Sequence, residues 1–405
     1  MASTAAVPQA NGSAHPVASL DSSLLTITHA ETLKPLPAPG YAFGDVKTDH
    51  MLVMEYDPLS GWSAPEIKPY GPLPLDPSSN CLQYCSNVFE GMKAFLGPDG
   101  KLHLFRPDRN MQRLVVSAAR MGLPTFDPDE LLRCIKKLVA VEERWVPTEA
   151  GHSLYIRPTM IGTKPSIKVG PSNHAMLYAL VLPVGPYFAT ASPTDAGVSL
   201  LAVGENVRSW PGGTGGFKMG LNYSPGFVPQ QRAAKLGYDQ VLWLLGDEQK
   251  VTEAGAMNFF AAIEREDGGI LVVTPPLDGT ILPGITRDSA LALLRAHAAA
   301  PSSGILALPP TLALHVEERA LGVPELARAG RAGRLLECFG TGTAVLVVAI
   351  ERIGDVVDPT MQTIEDIEMK GGLKGLGPVG RALYHKLSAV KEGREQFDGW
   401  SVLCE

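Results

Sequence analysis

The 405-residue chain has little of several things that define whole classes of protein. Its cysteines are only Cys81, Cys85, Cys134, Cys338 and Cys404, an odd set with no CxxC spacing. Neither a disulfide framework nor a zinc knuckle is expected from them, and a reducing compartment fits. The nine histidines are scattered and form no HExxH, so no metal site is expected. Apolar runs such as Ala344 to Ile350 fall far short of the ~20 residues that a membrane helix needs. Positive charge is also sparse: 35 Lys+Arg stand against 42 Asp+Glu, a net of −7, with no dense basic block. Nucleic acid and anionic membranes are bound through concentrated positive charge, so neither is an expected partner. The first 30 residues hold no Lys or Arg and no continuous apolar core, which argues against a secretory signal or an Arg-rich presequence. A cytoplasmic location is expected. The Ala/Ser-rich, nearly acid-free start keeps a mitochondrial one as the alternative.

What is present suits a globular chain, with 45% hydrophobic and 19% charged residues. At roughly 100–200 residues per domain, the length points to two domains. Residues 1–40, rich in Ala, Ser and Pro, are expected to form a mobile arm. Residues 41–184 are expected to form a small α/β domain, with strand-like runs at Met51–Tyr56 and Leu102–Phe105 and helical patterns over Arg109–Met121 and Asp127–Val141. A linker is expected over 185–195, and a large domain over 196–405. In that second part, strand patterns at Asp239–Leu245 and Gly269–Thr274 alternate with a helix over Thr286–Ala299. The fold class is therefore mixed α/β (α+β), with two domains and a cleft between them.

Two glycine-rich segments invite a nucleotide reading and fail on context. Gly375-Leu-Gly-Pro-Val-Gly380 matches GxGxxG but contains a proline and has only 25 residues after it, too few to complete a dinucleotide fold. Gly212-Gly-Thr-Gly-Gly-Phe-Lys218 resembles a phosphate-binding loop, yet Phe217 intervenes before the lysine and Met219 replaces the required Ser/Thr. What remains is Lys218 itself. A lone lysine is ordinarily a solvated surface charge, but glycines and apolar residues around this one can desolvate the amine and let it form a Schiff base. Downstream, Glu253 in Gln249-Lys-Val-Thr-Glu-Ala-Gly-Ala-Met-Asn258 reads alone as a surface or capping acid. Leu335-Leu-Glu-Cys-Phe-Gly-Thr-Gly-Thr-Ala-Val345 runs from a strand into a turn whose N–H groups and hydroxyls suit a phosphate, or close a simple tight turn.

Together these segments, with Thr48-Asp-His-Met51, Phe89-Glu-Gly-Met-Lys-Ala-Phe95, Leu104-Phe-Arg-Pro107, Asn110-Met111, Ser153-Leu-Tyr-Ile-Arg-Pro158, Val241-Leu-Trp243 and Leu282-Pro-Gly284, make the chain resemble the branched-chain amino acid aminotransferases, pyridoxal-phosphate enzymes of fold type IV. The resemblance runs from about Phe43 almost to the end and implies the two-domain fold type IV architecture with the active site in the cleft. It implies that Lys218 carries pyridoxal 5'-phosphate as a Schiff base and then moves the proton between substrate Cα and cofactor C4′. Glu253 faces the pyridine nitrogen and Tyr223 the ring's phenolic oxygen. Arg106, Thr343, Ile285 and Thr286 bind the phosphate. Phe43, Tyr84, Phe89, Tyr155 and Tyr187 wall the substrate pocket, while Arg157, Ala256 and the Ala344 backbone N–H lie near the substrate or its carboxylate.

The implied reaction is reversible, ping-pong transfer of the amino group of leucine, isoleucine or valine to 2-oxoglutarate, giving glutamate, in a homodimer. Two departures stand out. Ala256 takes the place of a common family threonine, and Val345 and Val348 take the places of a redox CxxC, so thiol regulation there is not expected. The alternatives are another fold type IV enzyme (a D-amino acid aminotransferase or aminodeoxychorismate lyase) and a non-catalytic regulatory protein on this scaffold.

Overall fold

The computed structural model describes residues 17–38, 43–149, 151–187, 194–357 and 363–404. Most of the expected linker, 188–193, and residues 1–16 and 39–40 of the expected arm lie outside them.

Apolar runs build the first sheet, whose long strands Ser153–Gly162 and Ala175–Val184 are buried almost end to end. Its strands lie in the order Thr26–Ile27, Glu66–Pro69, His50–Asp57, Ala175–Val184, Ser153–Gly162, Met92–Leu96, Leu102–Phe105, Ser401–Leu403, with Asn87–Phe89 also pairing to Ser153–Gly162. Two helices pack against it. Pro107–Met121 starts with proline at its first position and buries Met111, Leu114 and Ala118 at helical spacing, ending where Gly122 takes φ 68. Pro128–Val141 is capped by Asp127, whose carboxylate accepts the N–H groups of Asp129 and Glu130. Leu131, Ile135 and Leu138 on its inner face are fully buried, each stabilising the fold by roughly 1.5–3 kcal/mol.

Part of the segment expected to be a mobile arm is held on this sheet. Thr26–Ile27 pairs in parallel with Glu66–Pro69, Leu20 is buried, and the Ser22 N–H donates to the Glu130 carboxylate at 2.7 Å. The Thr48-Asp-His50 motif is the reason. Asp49 accepts the Lys34 N–H and pairs with Arg144 and the Trp145 indole N–H. His50 accepts the Ala30 N–H on Nε2 while Nδ1 packs against buried Glu142. Polar groups taken out of water thus satisfy one another around the segment.

The second sheet closes on itself. Gly197–Val203, Gln240–Leu245, Lys250–Ala254, Met257–Glu264, Leu335–Gly342 and Leu346–Val356 pair in a ring, a six-stranded barrel, because Lys250–Ala254 bonds both neighbours. Helices Ile285–Ala299 and Pro378–Lys391 lie outside it over a core that includes stacked Phe260 and Phe339, 5.1 Å between ring centroids.

The GxGxxG segment finds its purpose here. Buried Glu337 accepts the N–H groups of Val379 and Gly380 at 2.8 and 3.0 Å, at the start of Pro378–Lys391. A Cβ at Gly377 would come within 2.7 Å of that carboxyl group. The glycines let a helix N-terminus close onto an internal carboxylate. Beyond the helix the chain crosses back, and Ser401–Leu403 joins the first sheet beside Leu102–Phe105. The last strand of the segment expected to form the large domain therefore lies in the first sheet.

Candidate active site

A cavity of about 560 Å³ opens between the two sheets. Lys218 enters it from the glycine-rich loop, whose backbone is clamped by strand Asn87–Phe89 and helix Pro107–Met121. The Lys218 N–H donates to the buried Ser117 hydroxyl at 2.9 Å and the Lys218 carbonyl accepts the Phe89 N–H at 3.1 Å. Two residues on, the Gly220 N–H donates to Asn87 Oδ1, and a Cβ at Gly220 would sit 2.0 Å from that oxygen, so only glycine fits. The Lys218 amine lies 3.3 Å from the Tyr223 hydroxyl and 4.8 Å from the centre of the Phe89 ring. Few protein groups compete for this amine, and aromatic rings shield it.

Glu253, from the barrel strand Lys250–Ala254, forms another part of the wall. Its Oε1 accepts the Leu282 N–H at 3.1 Å and an Asn258 amide N–H at 3.3 Å. Its Oε2 is ion-paired with the buried Arg208 guanidinium. Burial pushes this carboxyl group up from its ordinary value, opposed by Arg208, the Leu282 N–H and Lys218. No local signal in the sequence marks Arg208, since only the fold brings its loop to the acid.

A third region is the start of helix Ile285–Ala299. Ile285 and Thr286 line the cavity with Thr343 and Ala344 of the turn after Leu335–Gly342. First-turn N–H groups have no partners within their helix and favour negative charge. The guanidinium beside them belongs to Arg113, which lines the cavity and donates to the Pro283 carbonyl at 3.0 Å and to both oxygens of buried Glu90 at 2.7 and 2.9 Å. Arg106, expected there, is not among the lining residues. Arg106 is buried just before helix Pro107–Met121, with φ 45, donating to Ser289 and pairing with Asp288 in the first turns of helix Ile285–Ala299 and stacking on Trp400.

The remaining wall is aromatic. Phe43, Phe89, Tyr155 and Tyr187 line the cavity, with Phe43 packed edge-on against both tyrosines at 5.0 and 5.3 Å. Arg157 is the one residue of Ser153–Gly162 that is not buried. It sits over Phe89, donates to the Tyr155 hydroxyl at 3.2 Å, and keeps a buried Nε–H without a partner. Ala256 lies at the cavity edge in the turn between two barrel strands. Asn87, Thr159, Tyr178, Gln240 and Met257 line it as well, unforeseen from sequence. Tyr84 does not: its ring is 42% exposed and its hydroxyl donates to the Ile167 carbonyl.

The comparisons with known proteins agree with this geometry. Residues 87–353 match the amino-transferase class IV family. The mitochondrial branched-chain-amino-acid aminotransferase of Schizosaccharomyces pombe is 42% identical over 95% of this chain and 85% of its own length. The cytosolic enzyme of Mus musculus is 42% identical over 93% and 92%. Among solved structures, the Escherichia coli branched-chain amino acid aminotransferase superposes with a TM-score of 0.66 at 22% identity, covering 87% of this chain and 99% of that one. The T.th. branched-chain amino acid aminotransferase complexed with N-(5'-phosphopyridoxyl)-L-glutamate superposes with a TM-score of 0.63 at 23% identity, covering 87% and 98%. With an isolated amine, a buried acid and a helix N-terminus around one cavity, and identity this extensive, the chain belongs to the class IV aminotransferases and, within them, to the branched-chain-amino-acid aminotransferases.

Proposed function

We infer that the protein is a pyridoxal-phosphate-dependent transaminase that exchanges the amino group of leucine, isoleucine or valine with 2-oxoglutarate. One observation carries the reading at this site: the Lys218 amine and the Glu253 carboxyl group, the latter buried and ion-paired with Arg208, line one cavity. That carboxyl group is the acid partner a protonated pyridine nitrogen requires, and Arg113 with the Ile285–Thr286 N–H groups is the donor set a phosphate dianion requires. The residues present therefore fit the cofactor.

When bound, pyridoxal phosphate supplies a ring that withdraws the electron pair left on the substrate Cα as its proton departs. The protein's part is binding, orientation and proton movement. With the cofactor bound, Lys218 would be the amine that holds it between turnovers and, once displaced, would move the proton that leaves the substrate Cα. Tyr223, beside that amine, steadies its hydrogen bonding. Glu253 would face the ring nitrogen as its acid partner, and the added counter-charge would offset the burial that otherwise disfavours the ionised carboxylate.

Phe43, Phe89, Tyr155 and Tyr187 exclude water and suit branched aliphatic side chains. The partnerless Nε–H of Arg157 accommodates the second carboxylate of glutamate, so one pocket serves both half-reactions. The complex of the T.th. relative with a phosphopyridoxyl-glutamate conjugate supports glutamate as the shared partner. Ala256 offers the substrate only its backbone, and Thr343 and Ala344 offer the N–H groups of their turn.

We also propose a homodimer built through the apolar patch around Leu82, Tyr84, Ile167 and Val169, which are 42–79% exposed, and a cytoplasmic location, as in the cytosolic relatives. A donor panel with 2-oxoglutarate tests the reaction. Turnover of the three branched-chain L-amino acids, with parallel lines in double-reciprocal plots, is expected. Activity confined to D-alanine, or none with cofactor supplied, contradicts it. Light scattering that gives a monomeric mass contradicts the dimer.

A further inference from the structure

Behind the active-site turn lies a second cavity, about 80 Å³, on the far side of Thr343, Ala344 and Val345, which line both spaces. That is room for a few waters or one small ion. Two lysines wall it from different elements, Lys93 from strand Met92–Leu96 and Lys391 from the end of helix Pro378–Lys391.

Lys391 is 4% exposed, and among the described residues its ammonium has neither a hydrogen bond nor a carboxylate partner, only the face of the Phe105 ring at 4.9 Å. Lys93 donates to the Ala344 carbonyl at 2.9 Å and likewise meets no carboxylate. The other titratable groups lining the space are Tyr187, Tyr384 and Glu392, and Glu392 is engaged by Arg394 at 2.7 Å. A buried cation is costly unless paired. Two facing one cavity whose one lining carboxylate, Glu392, is already paired with Arg394 leave a site complementary to an anion.

We propose that the space between Lys93 and Lys391 is an anion-binding site, separate from the cofactor and substrate site, for a small oxyanion of the phosphate or short-carboxylate class. Burial already draws the two ammonium groups down, Lys93 to about 8 and Lys391 to about 7, the latter also through the charge of Lys93. An anion relieves that burden and restores both charges. It also takes its place directly behind the Ala344 carbonyl, so occupancy bears on the turn that lines the active site. The proposal does not depend on the transaminase reading.

The test is calorimetric titration of the holoenzyme with inorganic phosphate and, separately, with acetate, at constant ionic strength near neutral pH, while the cofactor's visible absorbance is followed. Saturable binding of either ion at one per chain, with the cofactor retained, is expected, and the ion that binds identifies the ligand class. Lys391→Met and Lys93→Gln each weaken it at least about tenfold, the loss of one charge-assisted contact. If Lys391→Met does not fold, Lys93→Gln decides alone. No saturable binding of either ion, binding unchanged in the folded variants, or binding only as cofactor is lost overturns the proposal.

Discussion

The two arginines at the start of helix Pro107–Met121 separate a geometric reading of the phosphate end from a motif-based one. Arg113 commits two bonds to Glu90 and one to the Pro283 carbonyl, next to the first turn of Ile285–Ala299. Lysine at 113 keeps a positive charge within reach of Glu90, so the fold survives, but it replaces a planar fork by a single compact donor. Loss of one charge-assisted bond to the phosphate is worth ~1.5–3 kcal/mol, which raises the cofactor dissociation constant roughly 10- to 100-fold. Arg106→Lys removes contacts to Ser289, Asp288 and Trp400 without touching the cavity, so its cofactor affinity stays within about threefold of wild type. Titration of each apoprotein with pyridoxal phosphate, read by absorbance, with Tm measured alongside, gives the comparison. An Arg106→Lys protein that binds the cofactor more weakly than Arg113→Lys overturns the geometric reading and returns the phosphate to Arg106.

Two further outcomes follow from buried acids. Glu253→Gln removes the negative partner of both Arg208 and the cofactor ring nitrogen, so single-turnover deamination of leucine slows by about 10-fold or more; a rate unchanged in stopped-flow absorbance contradicts that role. Burial raises Glu337 from its ordinary 4.5 to about 7, so its contribution to stability is fully present below about 4.5 and is lost as pH rises through about 7, a span of ~3 kcal/mol. Glu337→Gln, whose amide offers one acceptor oxygen to the two N–H groups of Val379 and Gly380, is accordingly expected to have a lower Tm than wild type near pH 4.5 and to close that gap toward pH 8, and a constant Tm difference across that range sinks the assignment.

Much of the site was legible because its chemistry is written in short local segments. Lys218 among glycines, Glu253 before small residues and the Gly-Thr-Gly-Thr turn each stand on one element, and all three line the cavity. The helices over Pro107–Met121 and Pro128–Val141 and the strand Leu102–Phe105 were readable from periodicity and caps. What escaped depends on contacts distant in the chain. Arg106 is buried, and only the fold reveals that its guanidinium meets Ser289 and Asp288 of helix Ile285–Ala299. Asn110 and Arg113, three apart on one helix face and both bonded to Glu90, carried the signal that the inward face continues toward 113. Arg208 gains meaning only when its loop meets the barrel, and Ser401–Leu403 is too short for its pattern to disclose which sheet it joins. The sparse polar groups around Asp49 and His50 gave no hint that they would hold residues 17–38 in place.

Which amine holds the cofactor decides everything else about the site, and borohydride reduction of the cofactor-loaded protein, followed by proteolysis and mass mapping, identifies it. The phosphopyridoxyl mass is expected on Lys218 alone, at one per chain, with the label abolished in Lys218→Ala while the protein stays folded. A label on another lysine, or an unlabelled protein that still transaminates leucine, contradicts the assignment.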